Sequence, residues 1–123
     1  MNYTILIYET PADFAARTDP DPKKRETYWA AWPPYSKALK DAGIFVSGAG
    51  LQPPESATTL KFHDGRRLVQ DGPYADTKEQ LGGFFIIIDV PDLDTALDWA
   101  ARIPHAAGRT FEIRPNLPPM PKP

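Results

Sequence analysis

The chain has 123 residues, a net charge of −2, 41% apolar residues, 24% charged residues and no cysteine. That length suits one domain, and the balanced composition excludes a largely disordered chain. The weak charge and the lack of a basic stripe argue against binding to nucleic acid or an anionic membrane. Without cysteine, disulfides, zinc–thiolate sites, iron–sulfur clusters and thiol catalysis are excluded.

The N-terminal segment predicts a strand followed by a helix. Tyr3–Glu9 is rich in β-branched and aromatic residues, as strands are. It lacks the basic and long apolar regions of a signal peptide, and the longest apolar run, Phe84–Ile88, cannot span a bilayer. We therefore expect a cytoplasmic protein. Asp21 is a suitable cap for a helix over Lys23–Ala31.

The two adjacent prolines Pro33-Pro34 divide the next region. Prolines are tolerated in the first turn of a helix but not in its interior. This predicts a break near Trp32 and a second helix over Pro33–Asp41. Gly43 is expected to end that helix in the left-handed conformation, before a strand over Ile44–Leu51.

A hairpin and a polar connection are predicted next. Ala57–Phe62 and Arg67–Gln70 are predicted strands, and Asp64-Gly65 favours the tight turn between them. Ala75–Glu79 has the pattern of a capped helical turn. Gly82-Gly83 is expected to use positive φ angles where the chain enters the following strand.

The C-terminal part predicts a strand, a helix and a strand. Phe84–Val90 is apolar on both faces and is expected to be a central strand. Asp92 begins a helix that Pro104 stops, and Arg109–Arg114 alternates as a strand does. The predicted buried face of the helix consists of Leu93, Ala96, Leu97, Ala100 and Ile103.

The order of elements predicts an α+β fold, a ferredoxin-like βαββαβ subunit with an extra hairpin. The domain is expected to cover residues 1–115, followed by an extended proline-rich tail over 116–123. Two helices on one face of a sheet leave the other face uncovered. A second copy packed sheet against sheet is the simplest cover, so we expect a homodimer.

The most unusual segment runs from Asp71 to Phe84, where charged, polar and glycine residues lie between two strands. Turn and capping chemistry explains much of it. No phosphate-loop or dinucleotide motif is present, and neither His63 nor His105 has a partner at metal-ligand spacing. We therefore predict no cofactor and no metal.

The segment Asp71–Tyr74 resembles the signature of the YCII-related family, in the branch named for its Asp-Gly-Pro-Phe (DGPF) motif, with Tyr74 in place of phenylalanine. The similarity extends from about Tyr3 to Pro115. It includes the segments Ala42–Ile44, Gly48, Leu51–Pro53, Asp64-Gly65, Gly82–Phe84, Asp92–Arg102 and Glu112–Pro115.

The resemblance implies a dimeric α/β barrel of ferredoxin-like subunits. Some relatives are lyase-like enzymes that use a His–Asp pair on the first helix and the turn after it. Here that helix has no histidine, and Asp41 lacks such a partner. Genes of the DGPF branch often lie beside extracytoplasmic-function sigma factors, which implies a regulatory or sensing role.

Two functions remain open at the sequence level. The first is a small dimeric module of undefined activity that binds a small molecule or assists a regulator. The second is a lyase- or isomerase-type enzyme with Asp71 and Tyr74 in acid–base roles. Each candidate has a plainer alternative as a turn residue, a solvated charge or a core aromatic. The predicted ligand-binding residues are Trp32, Tyr35, Asp71, Gly72, Pro73, Tyr74, Lys78 and Glu79.

Overall fold

The computed structural model describes residues 1–104 and 108–119, so His105 and the last four residues of the proline-rich tail lie outside it. The strands in the described part are β1 (Tyr3–Glu9), β2 (Phe45–Gly50), β3 (Thr58–His63), β4 (Arg66–Asp71), β5 (Gln80–Ile87) and β6 (Thr110–Pro115). The helices are α1 (Pro11–Ala16), α2 (Pro22–Ala30), α3 (Trp32–Asp41) and α4 (Leu93–Ala101), with a short 3₁₀ turn at Pro54–Ser56.

Four strands form one sheet in the order β2-β5-β1-β6, and every neighbouring pair is antiparallel. Side chains of β1 alternate between buried and half-buried positions. The buried set, which begins with Tyr3, Ile5 and Ile7, faces α3 and α4 and forms the hydrophobic core with Leu39 and Ala96. This mixed architecture agrees with the predicted α+β class.

The strands β3 and β4 form a separate two-stranded sheet. The Asp64-Gly65 turn has positive φ at both residues, 49° and 76°, as predicted. Every residue of β4 is exposed, and the hairpin presents large apolar side chains to solvent. Those side chains are Leu60, Phe62, Leu68 and Val69.

The helices agree in part with the sequence predictions. The break near Trp32 is confirmed, because α2 ends at Ala30 and α3 begins at Trp32. Gly43 has φ of 72°, as its capping role requires. The sequence analysis missed α1, although Thr10 and Asp13 form a complete capping box at its start.

Three local predictions are wrong. Residues 75–79 form no helical turn, and Gln80 holds this segment by donating to the carbonyls of Ala75 and Thr77. Gly82-Gly83 lies inside β5 without positive φ, because the strand begins earlier than the apolar run suggested. Leu93 and Leu97 are exposed, since the contact of α4 with the core is made by smaller side chains.

Candidate functional site

A cavity of about 550 Å³ lies between α2 and α3 on one side and the sheet on the other. We call it the inner cavity. Its aromatic and apolar walls come from Tyr28, Trp29, Trp32, Phe85 and Leu51. Its charged lining residues are Glu9 at the end of β1 and Arg17 just after α1.

Glycines of β2 and β5 form the floor of the inner cavity. A Cβ added to Gly48 would lie 2.7 Å from the Phe85 ring, and one added to Gly83 would lie 2.8 Å from the carbonyl oxygen of Ala49. Gly82 is the unpaired residue of a β-bulge opposite the Ile7–Tyr8 step of β1. The absence of side chains at these positions leaves the floor flat and close to the backbone.

Gly82 also makes room for a buried carboxylate. A Cβ on Gly82 would lie 2.3 Å from Oε1 of Glu9, a residue that is 1% exposed. The bulge therefore places a residue without a side chain directly beside the Glu9 carboxylate.

Donors surround the Glu9 carboxylate. Arg17 donates from a terminal nitrogen to Oε1 at 2.7 Å, and the Tyr28 hydroxyl lies 3.0 and 2.8 Å from Oε1 and Oε2. The guanidinium of Arg109 reaches Oε2 from two nitrogens at 3.4 Å. Buried carboxylates persist when they are paired and hydrogen-bonded in this way. The four residues link β1, α2, the segment after α1 and the start of β6.

We call the cluster of Glu9, Arg17, Tyr28 and Arg109 the polar corner, and the Arg17 guanidinium makes most of its further hydrogen bonds. Besides Glu9, it donates to the carbonyls of Gly82 and Leu51 and from Nε to the Tyr28 hydroxyl. Burial by itself lowers the pKa of Arg17, but the hydrogen bonds to Glu9 and Tyr28 outweigh it and the net pKa is raised. Burial, followed by the hydrogen bond to Glu9, raises the pKa of the Tyr28 phenol.

Arg109 contacts two rings of the aromatic wall but is not itself a lining residue of the inner cavity. Its guanidinium carbon is 5.1 Å from the centre of the Tyr28 ring and 5.0 Å from that of Trp32. Both distances suit cation–π attraction. The indole nitrogen of Trp32 is buried and has no hydrogen-bond partner among the described residues, an unusual state for a buried donor.

A second depression, the outer groove, contains part of the predicted DGPF site. Its volume is about 650 Å³, and its lining includes Asp71, Gly72, Pro73 and Lys78. Asp71 is exposed at the end of β4, and its carboxylate makes no hydrogen bond or ion pair in the described part of the chain. Had Asp71 acted as a structural turn residue, its carboxylate would accept backbone hydrogen bonds from the turn, and none is observed within the described residues.

The other predicted site residues are dispersed. Tyr74 is 77% exposed, with the Lys61 ammonium 5.2 Å from its ring centre, and Glu79 is also exposed. Tyr35 lies in the hydrophobic core, and its hydroxyl donates to the Trp99 carbonyl. Burial raises the pKa of Tyr35. Trp32 alone among the predicted residues lines the inner cavity.

A comparison with known protein families assigns the chain to one of them. The YCII-related domain matches residues 1–118. The chain belongs to the YCII-related family. An uncharacterized protein of Rhizobium meliloti (strain 1021) is 44% identical to it over 77 residues, which is 61% of each of the two chains.

The main polar cluster of this YCII-related protein was missed by the sequence analysis. Glu9 looked like the last residue of a strand, and Arg17 carried no motif. A usable signal was present, because strict alternation along β1 places Glu9 on the same face as Ile5 and Ile7. A carboxylate at a buried strand position requires a cationic or hydrogen-bonding partner.

The described residues lack a metal cluster and a membrane-spanning helix. Within residues 1–104 and 108–119, no group of three or more histidine, cysteine or acidic residues is arranged to hold a metal ion. No helix in the same ranges is long and apolar enough to cross a membrane.

Proposed function

We propose that this YCII-related protein is a binding module that holds a small molecule in the inner cavity. The observation that carries the proposal is the cavity itself, about 550 Å³ of space lined by aromatic walls, a glycine floor and one buried polar corner. Ligand sites in proteins have this size and this combination of apolar lining and few fixed polar groups.

The polar corner favours binding over acid–base catalysis. All contacts of the Glu9 carboxylate come from donors on Arg17, Tyr28 and Arg109, which hold it as an acceptor. A general base must instead be free to reach a substrate proton. The exposed Asp71 is not desolvated, which removes the main physical argument for catalysis in the outer groove.

Ligand capture by mass spectrometry tests the location. Gly50 lines the inner cavity, and a Cβ there meets nothing within 4 Å, so Gly50→Leu is designed to fill the cavity without a backbone clash. We expect this variant to lose small molecules that co-purify with the wild type, while Lys78→Ala in the outer groove keeps them. The opposite result would move the site to the Asp71 region and restore the DGPF-centred prediction.

We propose further that the protein is a homodimer. The sheet face opposite the helices carries half-buried Leu6, Tyr8, Phe84 and Ile86, and the β3–β4 hairpin adds exposed apolar side chains. Together they exceed the scattered apolar residues of a typical monomer surface. Sedimentation at micromolar concentration should give twice the 13.7 kDa mass of the chain. A monomer at all concentrations would refute this proposal.

We also propose a ferredoxin-like subunit, an α/β barrel, membership of the DGPF branch and a cytoplasmic location. The strand order β2-β5-β1-β6 supports a ferredoxin-like subunit, and its pairing into an α/β barrel follows from the proposed dimer. The Asp71–Tyr74 motif supports the DGPF branch, and with it a sensing role beside an extracytoplasmic-function sigma factor. The lack of cysteine supports a cytoplasmic location.

A further inference from the structure

The charges at the polar corner of the inner cavity do not balance. Glu9 contributes one negative charge, while Arg17 and Arg109 contribute two positive charges. The side chains of all three are at most 9% exposed. Arginine remains protonated in proteins, so within residues 1–104 and 108–119 the corner carries one net positive charge.

This charge acts on the interior of the cavity. Arg17 lines the cavity directly, and Arg109 lies about 5 Å from the ring centres of two wall residues, Tyr28 and Trp32. Apolar walls screen charge poorly, so a positive potential in such a cleft attracts anions more strongly than the same charge on an open surface. Among the residues that line the inner cavity, Glu9 is the acidic one, and Arg17 already pairs with it.

The shape of the cavity favours a flat apolar group as the uncharged part of the ligand. Gly48, Gly82 and Gly83 present backbone without side chains, while Trp29 and Trp32 belong to the opposite helical side. A flat apolar group fits between a glycine floor and an aromatic wall, where ring stacking adds to the burial of apolar area.

We propose that the inner cavity selects a planar apolar monoanion, of the class of aromatic carboxylates. The apolar body lies between the glycine floor and the tryptophan wall, and the carboxylate faces the corner formed by Arg17 and Arg109. The inference rests on the proposed function, because it names the chemical class of ligand for the same cavity.

The test compares two probes of equal shape that differ in charge, 2-naphthoate and 2-naphthamide. Isothermal titration calorimetry on the wild-type protein at low ionic strength should show naphthoate binding at least about tenfold more tightly. Arg109→Gln removes the excess charge without changing a residue that lines the cavity. We expect the variant to bind the two probes equally, through a loss of naphthoate affinity alone.

The matched control is Arg102→Gln. Arg102 also stacks on a tryptophan, with its guanidinium carbon 4.4 Å from the centre of the Trp99 ring, but Trp99 does not line the inner cavity. The control loses the same net charge and should keep the preference for naphthoate. If Arg102→Gln lowers that preference as much as Arg109→Gln, the effect comes from overall charge and the inference fails.

The outcomes separate this inference from the proposed function. Equal wild-type affinity for both probes, or a preference for naphthamide, would refute the anion inference and leave the cavity as a binding site. If neither probe binds, and Gly50→Leu also retains every co-purifying molecule, both proposals fail. If Arg109→Gln does not fold, the wild-type ratio of affinities, measured at low and at high salt, decides the inference, since an electrostatic preference must shrink as salt rises.

Discussion

The fit between Gly82 and Glu9 leads to a quantitative prediction. In Gly82→Ala, the new Cβ would lie 2.3 Å from Oε1 of Glu9 and 2.9 Å from its Cγ and Cδ. An ordinary contact needs about 3.4 Å or more, so the carboxylate must move by about 1 Å. That movement lengthens the 2.7 Å contact with Arg17 and breaks at least one contact with the Tyr28 hydroxyl.

The expected cost follows from those contacts. Each hydrogen bond to a charged group contributes about 1.5–3 kcal/mol, and separating a buried ion pair costs about 3–5 kcal/mol. Because the displaced carboxylate keeps part of its interaction with Arg17, we expect Gly82→Ala to lower the free energy of unfolding by about 3 kcal/mol. For a domain of this size the melting temperature should fall by roughly 10 °C.

Urea denaturation with a matched control measures the effect. Gly50→Ala adds the same methyl group to the same cavity floor, where a Cβ meets nothing within 4 Å. That control should change the free energy of unfolding by less than about 1 kcal/mol. In a Glu9→Ala background, Gly82→Ala should cost nothing further. A Gly82→Ala variant as stable as the Gly50→Ala control would refute the assigned position of the Glu9 carboxylate.

Three other outcomes are expected. Gly83→Ala should destabilise the protein by about 1–3 kcal/mol, because its Cβ meets the Ala49 carbonyl oxygen at 2.8 Å, and an unchanged urea midpoint would contradict this. Asp71→Asn should leave stability unchanged, since the carboxylate is exposed and has no partner in the described structure; a lower melting temperature would reveal one. Folding favours the protonated Tyr28 phenol, so its contribution to stability is full below the unfolded pKa of about 10 and is lost as pH rises through the higher folded value. In an absorbance titration, Tyr28→Phe should lack one late-ionising phenol that the wild type shows.

Much of the fold could be predicted because local signals and tertiary packing agree. The prolines after Trp32 restrict the backbone, whereas Gly43 and the Asp64-Gly65 turn allow positive φ angles that few other residues adopt. The structure has the helix break and the positive φ angles at the expected places. The prediction of a helical turn over residues 75–79 was wrong because a capping pattern alone does not stabilise a helical turn that buries nothing.

The candidate site was far less predictable. Its polar corner joins residues 9, 17, 28 and 109, and the ion pairs of Glu9 span 8 and 100 positions along the chain. No local motif records such a cluster. The DGPF segment attracted attention because it is locally unusual, but most of its polar side chains lie on the surface. The alternation of β1 could have indicated the buried position of Glu9, but not its partners.

The β3–β4 hairpin has a consequence for how the molecule opens. Among the described strands it pairs only within itself, and an isolated two-stranded hairpin is marginally stable in water. Its backbone amides should therefore exchange with deuterium through local opening, long before those of β1 and β5 exchange through global unfolding. Covering the hairpin with another surface would slow that exchange. If the proposed dimer covers the hairpin, the exchange rates of the Thr58–Asp71 amides should fall as protein concentration rises. That dependence would give the association constant of the dimer.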